Sequence, residues 1–151
     1  MLSPDRLTVK SADALNDALS HARRNGNPLV YDAHLLAALL EQADSIVVPV
    51  LQKLGVAVPQ LRETLEREIT RYPRQSGANP SLARELNAVL DQAEQSARAL
   101  GDEFVSTEHL LLALAFAGAL PMALYPGPPL TAALPVLPAV ALLVGRFVDR
   151  V

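Results

Sequence analysis

The sequence predicts an all-α fold made of two copies of one helical unit, the second copy incomplete. Three observations carry this. Apolar residues recur at i, i+3, i+4 and i+7 in several windows, the spacing that lines one face of a helix. The chain aligns with itself when His34 is set over His109, an offset of 75 residues, and self-similarity at a fixed spacing marks one supersecondary unit used twice. Beyond Ala115 both patterns stop and a charge-poor, proline-rich stretch takes over.

The first unit reads as four helices. Leu15, Ala18, Leu19 and Ala22 make the first stripe, and Gly26 follows it, where a left-handed C-terminal cap favours glycine. A short extended link leads to Asp32, the expected N-cap of a second helix from His34 to Gln42. That helix is nearly all Leu and Ala and should be buried. Ile46, Val47, Val50, Leu51 and Leu54 form a third stripe ended by Gly55, with Pro49 tolerable only in the first turn. Pro59 opens a fourth helix whose Leu61, Leu65 and Ile69 face inward. On its wet side Arg62–Glu66 and Glu63–Arg67 have the i, i+4 spacing of ion pairs. Residues 71–80, with Pro73, Gly77 and Pro80, read as a linker.

The second unit repeats the first two helices. Leu82, Leu86, Val89, Leu90, Ala93, Ala97 and Leu100 make the stripe, Gly101 ends it, and Ser106 or Thr107 caps a helix from His109 to about Ala115. Where a third helix should follow, residues 116–129 read FAGALPMALYPGPP, and prolines so close together exclude it. The expected organisation is repeat one at 4–70, a linker at 71–80, a truncated repeat two at 81–115 and a separate tail at 116–151. The missing helices should leave the apolar faces of Leu86–Leu100 and Leu110–Leu114 short of partners unless the tail covers them.

Composition narrows the function classes. A chain of 151 residues suits one domain with a real core. Half the residues are apolar and 19% charged, which excludes wholesale disorder. Thirteen basic against sixteen acidic residues give a net charge of -3, with no basic surplus to follow a phosphate backbone, so no nucleic-acid partner is expected. The absence of cysteine excludes a disulfide frame, a zinc ribbon and a thiol nucleophile. The opening MLSPDRLTVK carries no apolar h-region, and a cytoplasmic location is expected.

The tail admits three readings. Leu130–Val144 is uncharged like a membrane segment, but its roughly 15 residues are interrupted by Pro135 and Pro138 and fall short of the ~20 that span a bilayer. It could instead be a hydrophobic interaction element. The third reading is a frameshift product or relic, since an out-of-frame GC-rich gene yields Ala, Pro, Gly, Leu and Val. The abrupt loss of the repeat at Ala115 fits the third reading best. A helix is expected around Ala139–Arg150 and irregular chain at Pro121–Pro129.

The segments DRLT (Asp5–Thr8), AHLLAALLEQ (Ala33–Gln42), LQKLGV (Leu51–Val56) and ALGDEFVSTEHLLLALA (Ala99–Ala115) resemble the N-terminal Clp repeat domain of the Hsp100 unfoldases. The branch of the disaggregase ClpB is the most similar, over residues 4–115. The resemblance implies an all-α pseudo-twofold domain, tethered ahead of ATP-driven AAA+ rings, that takes part in protein disaggregation in the stress response. Its implied partners are unfolded or aggregated polypeptide and adaptor proteins, bound in a groove between the repeats. No cofactor is implied. The family's polypeptide-binding residues match Thr8, Asp102 and Glu108, a hydroxyl and two carboxylates beside apolar surface, which suits an extended peptide.

Other chemistry finds little support. The lysines, Lys10 and Lys53, follow Val9 and Gln52, so the Gly-Lys pair of a P-loop is missing and ATPase activity would belong to modules outside this sequence. His34 and His109 invite a metal pair, but without a third ligand they read as the same turn capped twice. His21 is expected to be solvated. Glu108 beside His109 hints at acid–base catalysis, yet no nucleophile elbow or HExxH accompanies it, and no enzyme is expected. Acidic side chains in a first turn also complement the helix dipole, and Thr8 alone would be an ordinary N-cap. The alternative function is a stand-alone Clp-repeat protein that docks on a partner or membrane through its tail.

Overall fold

The computed structural model describes residues 2–77 and 79–117. A 3-10 turn at Pro4–Arg6 is followed by α1 (Val9–Arg24), β1 (Leu29–Val30), α2 (Asp32–Glu41), α3 (Val47–Lys53), α4 (Val58–Thr70), β2 (Ser81–Leu82), α5 (Arg84–Ala99) and α6 (Thr107–Ala117). The bounds of α1 shifted by 75 residues are those of α5, and α2 shifted likewise begins where α6 begins.

Helix α2 is the hub. Ala33, His34, Leu35, Leu36, Ala38, Leu39 and Leu40 are all buried, as expected of a helix apolar on every side. It is surrounded by α1, α3, α4, α5 and α6. The face that α1 turns to it is small (Ser11, Ala14, Ala18, Ala22), which lets the two backbones approach. Leu61, Leu65 and Ile69 of α4 close the other side. Truncating one such fully buried leucine to alanine costs about 2–5 kcal/mol, so this hub dominates stability.

The same hydrogen-bonded turn ends both long helices. Asn27 N–H reaches back to Ala22 C=O at 2.9 Å and Gly26 N–H to Arg23 C=O at 3.1 Å. Asp102 N–H reaches Ala97 C=O at 2.8 Å and Gly101 N–H reaches Arg98 C=O at 3.1 Å. This is the double cap that needs a left-handed residue, and Gly26 and Gly101 sit at φ 72° and 77°.

Several expectations are corrected. Tyr31, not Asp32, is the N-cap of α2, because the His34 ring takes the Tyr31 N–H and draws the helix start back. Leu82 lies in β2 and Leu100 beyond α5, and both are largely exposed rather than parts of the α5 stripe. Arg62 gives its Nη2–H to Leu40 C=O at 2.8 Å, where it satisfies a carbonyl at the open end of α2. The apolar residues Leu86, Leu110, Leu111 and Leu114 are fully buried, with α6 packed on α5, α1, α2 and α3. Helix α6 also continues past Ala115 to Ala117. The expectations for Pro121–Pro129 and Ala139–Arg150 lie outside the described residues, as does the tail from 118 onward.

Candidate functional site

Two short parallel contacts join the halves of the chain. Leu7 pairs with Val105, and Leu82 of β2 pairs with Val30 of β1. Leu82 is Leu7 displaced by 75 residues, and Val105 is Val30 displaced by 75. Thr8 N–H donates to Val105 C=O at 3.1 Å, and Ala83 N–H donates to Val30 C=O at 2.9 Å. The extended residues ahead of each long helix therefore pair with the extended link of the other half.

The Leu7–Val105 seam joins Thr8 to the stretch of chain between Asp102 and Glu108. Thr8 caps α1, its Oγ1 accepting Ser11 N–H at 3.2 Å and donating to Ser11 Oγ at 2.9 Å. Its backbone bond to Val105 ties it to the loop between Asp102 and the start of α6. Asp102 Oδ2 accepts the Nε2–H of His109 at 2.9 Å. Glu108 stands in the first turn of α6, where the positive end of the helix dipole favours it.

Charge and apolar surface meet here. Val9 follows Thr8 and is 78% exposed, while Phe104 precedes Val105 and is 46% exposed. Glu103 and Asp5 are exposed. Arg6 directs its Nε and Nη2 to Glu103 C=O at 3.3 and 3.2 Å, and its Nη1 to Glu94 at 3.5 Å. Arg98 also pairs with Glu94, at 2.8 Å. The two nearby guanidiniums are thus occupied by Glu94 and a carbonyl rather than by Asp102 or Glu108.

The histidines hold the turns. His34 Nδ1 accepts Tyr31 N–H at 2.9 Å and its Nε2–H donates to Asn27 Oδ1 at 3.1 Å. His109 Nδ1 accepts Ser106 N–H at 3.0 Å. With both ring nitrogens engaged, neither ring has a lone pair left for a metal, and among the described residues no cluster of three or more metal-ligating side chains forms. Ser106 Oγ also lies 3.0 Å from His109 Nδ1, so Ser106, His109 and Asp102 are the residue types of a nucleophilic triad. The geometry argues against it: the imidazole lone pair serves the main chain, and the ring is 2% exposed. Burial, with help from the neighbouring His21, pushes His34 down to about 4.

His21 is not solvated as expected. It is half-buried, edge-on to His34 with centroids 5.9 Å apart, and its Nδ1 lies 3.3 Å from Asn25 Nδ2. The Tyr31–Tyr72 stack at 3.9 Å was not anticipated either.

The family model for the Clp repeat N-terminal domain matches residues 6–123. The chain belongs to that family. The match runs past Ala115, where the internal repeat stops being legible. The chaperone protein ClpB of Corynebacterium diphtheriae is 43% identical over 111 residues, 72% of this chain and 13% of that protein; the chain thus spans a small fraction of the length of the curated relatives it matches. Among solved structures, the N-terminal domain of the ClpV1 ATPase from E. coli EAEC superposes with TM-score 0.71 at 27% identity, covering 88% of this Clp-repeat chain and 77% of that one. A ClpV N-domain in complex with a VipB peptide gives TM-score 0.68 at 21% identity, covering 93% and 88%. Among the described residues no helix of the Clp-repeat fold is long and apolar enough to cross a membrane.

Proposed function

We propose that this Clp-repeat chain is a non-catalytic, polypeptide-binding N-terminal module of a ClpB-type disaggregase, acting in the cytoplasm during stress. It holds unfolded or aggregated polypeptide, or an adaptor carrying it, for AAA+ modules that supply the ATPase activity. Repeat one at 4–70 and repeat two at 81–115, joined by residues 71–80, form the binding domain, and 116–151 is a distinct tail. The observation that carries the reading is the Leu7–Val105 seam. It joins Thr8 to Val105, midway along the chain between Asp102 and Glu108, and the exposed Val9 and Phe104 adjoin Thr8 and Val105 in sequence. An extended peptide needs such a mixture, acceptors for its amides and apolar surface for its side chains. The relationship to ClpB proteins, and a ClpV N-domain described with a peptide partner, support the same class of ligand.

The test is fluorescence anisotropy of a labelled, permanently unfolded polypeptide titrated with the full chain. Saturable binding, weakened several-fold in Glu108→Ala, is the expected result. No saturable binding, or binding indifferent to Glu108→Ala and to Thr8→Ala, would overturn the reading.

A further inference from the structure

Both long helices end in the same double cap, but the residue ahead of the glycine differs. In the second half it is Leu100, before Gly101; in the first it is Asn25, before Gly26. The cap asks only for the left-handed glycine, so it does not require Asn25. An asparagine followed by glycine is a chemically reactive pair. The glycine nitrogen can attack the asparagine Cγ, and with no Cβ on the glycine nothing crowds the five-membered ring that closes. Asn25 is singular in this among the five asparagines. Asn27 and Asn79 precede prolines, which have no N–H to attack with. Asn16 and Asn87 lie inside α1 and α5, ahead of Asp17 and Ala88, whose N–H groups are spent on the helix ladder.

The fold engages both reacting groups of the pair. Gly26 N–H donates to Arg23 C=O at 3.1 Å. The side-chain amide is held to α1 as well: Asn25 Nδ2 lies 3.3 Å from His21 Nδ1, and since an amide nitrogen only donates, the ring nitrogen accepts. The nucleophile is thus committed to a carbonyl and the leaving nitrogen to an imidazole.

The linker closes over the same turn. Gln75 N–H donates to Gly26 C=O at 2.7 Å, Asn27 Nδ2–H donates to Pro73 C=O at 3.0 Å, and Tyr72 stacks on Tyr31 at 3.9 Å. Asn27 N–H reaches Ala22 C=O at 2.9 Å, and Asn27 is fully buried. Turning the Gly26 nitrogen onto the Asn25 side chain means breaking the cap, and the cap carries the linker.

We propose that Asn25–Gly26 is a deamidation site which the folded turn holds latent, and that its conversion to isoaspartate frees the linker from the turn. The Gly26 nitrogen loses its proton to water or hydroxide and forms a bond to Asn25 Cγ. The Cγ–Nδ2 bond breaks, and Nδ2 leaves as ammonia with the proton returned to it. Water then opens the succinimide. Attack at the side-chain carbonyl gives aspartate; attack at the main-chain carbonyl leaves isoaspartate. The net change is one water consumed and one ammonia released. Isoaspartate routes the main chain through the former side chain and adds one carbon to the turn. The Gly26 and Asn27 bonds to α1 then lose their register, and with them goes the carbonyl that holds Gln75.

The experiment incubates the full chain at neutral pH in heavy-oxygen water, folded or in urea, then returns it to ordinary water for tryptic digestion. Peptide 25–53, which begins after Arg24 and ends at Lys53, is followed by mass spectrometry. Heavy oxygen at Asn25 should accumulate about tenfold more slowly in the folded chain than in urea, the protection conferred by a locally stable turn. In Asn25→Leu, which copies Leu100, the label in this peptide should vanish while the urea midpoint is kept. The isoaspartate form, separated chromatographically, should lose hydrogen-exchange protection at the Gln75 amide. Asn25→Asp adds the charge without the extra backbone carbon and should keep that protection. Equal rates in the folded and unfolded chain, or no heavy oxygen at Asn25 in urea, overturns the latent site. Gln75 protection retained in the isoaspartate form, or lost in Asn25→Asp, overturns the coupling to the linker.

Discussion

His109 donates its Nε2–H to Asp102 Oδ2 over 2.9 Å while its Nδ1 accepts the Ser106 backbone N–H. A backbone N–H can only donate, so the acceptor bond fixes the proton on Nε2 and the tautomer follows from the main chain. His34 repeats the arrangement with Tyr31 and Asn27. One imidazole per half thus ties the glycine-capped end of one helix to the start of the next. The difference between the halves is the partner, a neutral amide in one and a carboxylate in the other.

That difference predicts unequal costs for exchanging the partners. Asn27→Asp retains an acceptor for His34 but loses the donor to Pro73 C=O and sets a buried carboxylate against that carbonyl. It should destabilise the chain by about 1–3 kcal/mol. Asp102→Asn, at a partly exposed site, should change stability by less than about 0.5 kcal/mol. Urea unfolding of the two variants checks this, and equal costs would contradict the role given to the linker.

Thr8 has a structural duty that a binding assay must be separated from. Its Oγ1 caps α1 through Ser11 N–H, so Thr8→Ala should cost about 1 kcal/mol of stability. Thr8→Ser preserves the hydroxyl and should retain both the cap and polypeptide binding. Loss of stability in Thr8→Ser comparable to that in Thr8→Ala would show that the methyl group, rather than the cap, matters.

His34 predicts a pH dependence. Its pKa falls from the ordinary 6.5 to about 4 in the fold, through burial first and the His21 charge second. Between those values the unfolded chain binds a proton that the folded chain does not, so stability is full above about pH 6.5 and declines as pH drops toward 4, by roughly 3 kcal/mol. Asp32 acts in the opposite sense: burial raises its pKa, so protonation favours the fold and softens the decline at its acid end. Urea midpoints between pH 7 and pH 5 should fall with pH in the wild-type chain and flatten in His34→Gln. A flat wild-type profile would contradict the assignment.

The helices were legible because their signals are local. The stripes of α1, α4 and α5, the all-apolar α2 and the glycines behind α1 and α5 each follow from spacing within a few residues. What escaped depends on pieces distant in sequence. Tyr72 reaches Tyr31 across 41 positions, Arg62 bonds the Leu40 carbonyl 22 positions back, and His21 sits edge-on to His34. None of these choices is encoded in periodicity. Thr8, Asp102 and Glu108 were singled out through a family motif, and the contact of Leu7 with Val105, which brings Thr8 to the second half, joins residues 98 apart, beyond the reach of any local pattern.

The central claim is that the Leu7–Val105 seam binds polypeptide. The most direct measurement is a two-dimensional amide NMR titration of the full chain with an unfolded, unlabelled polypeptide. Saturable shifts concentrated at Thr8, Val9 and residues 101–108, and lost in Glu108→Ala, are predicted. Shifts confined to other surfaces, or none at saturating polypeptide, would contradict it.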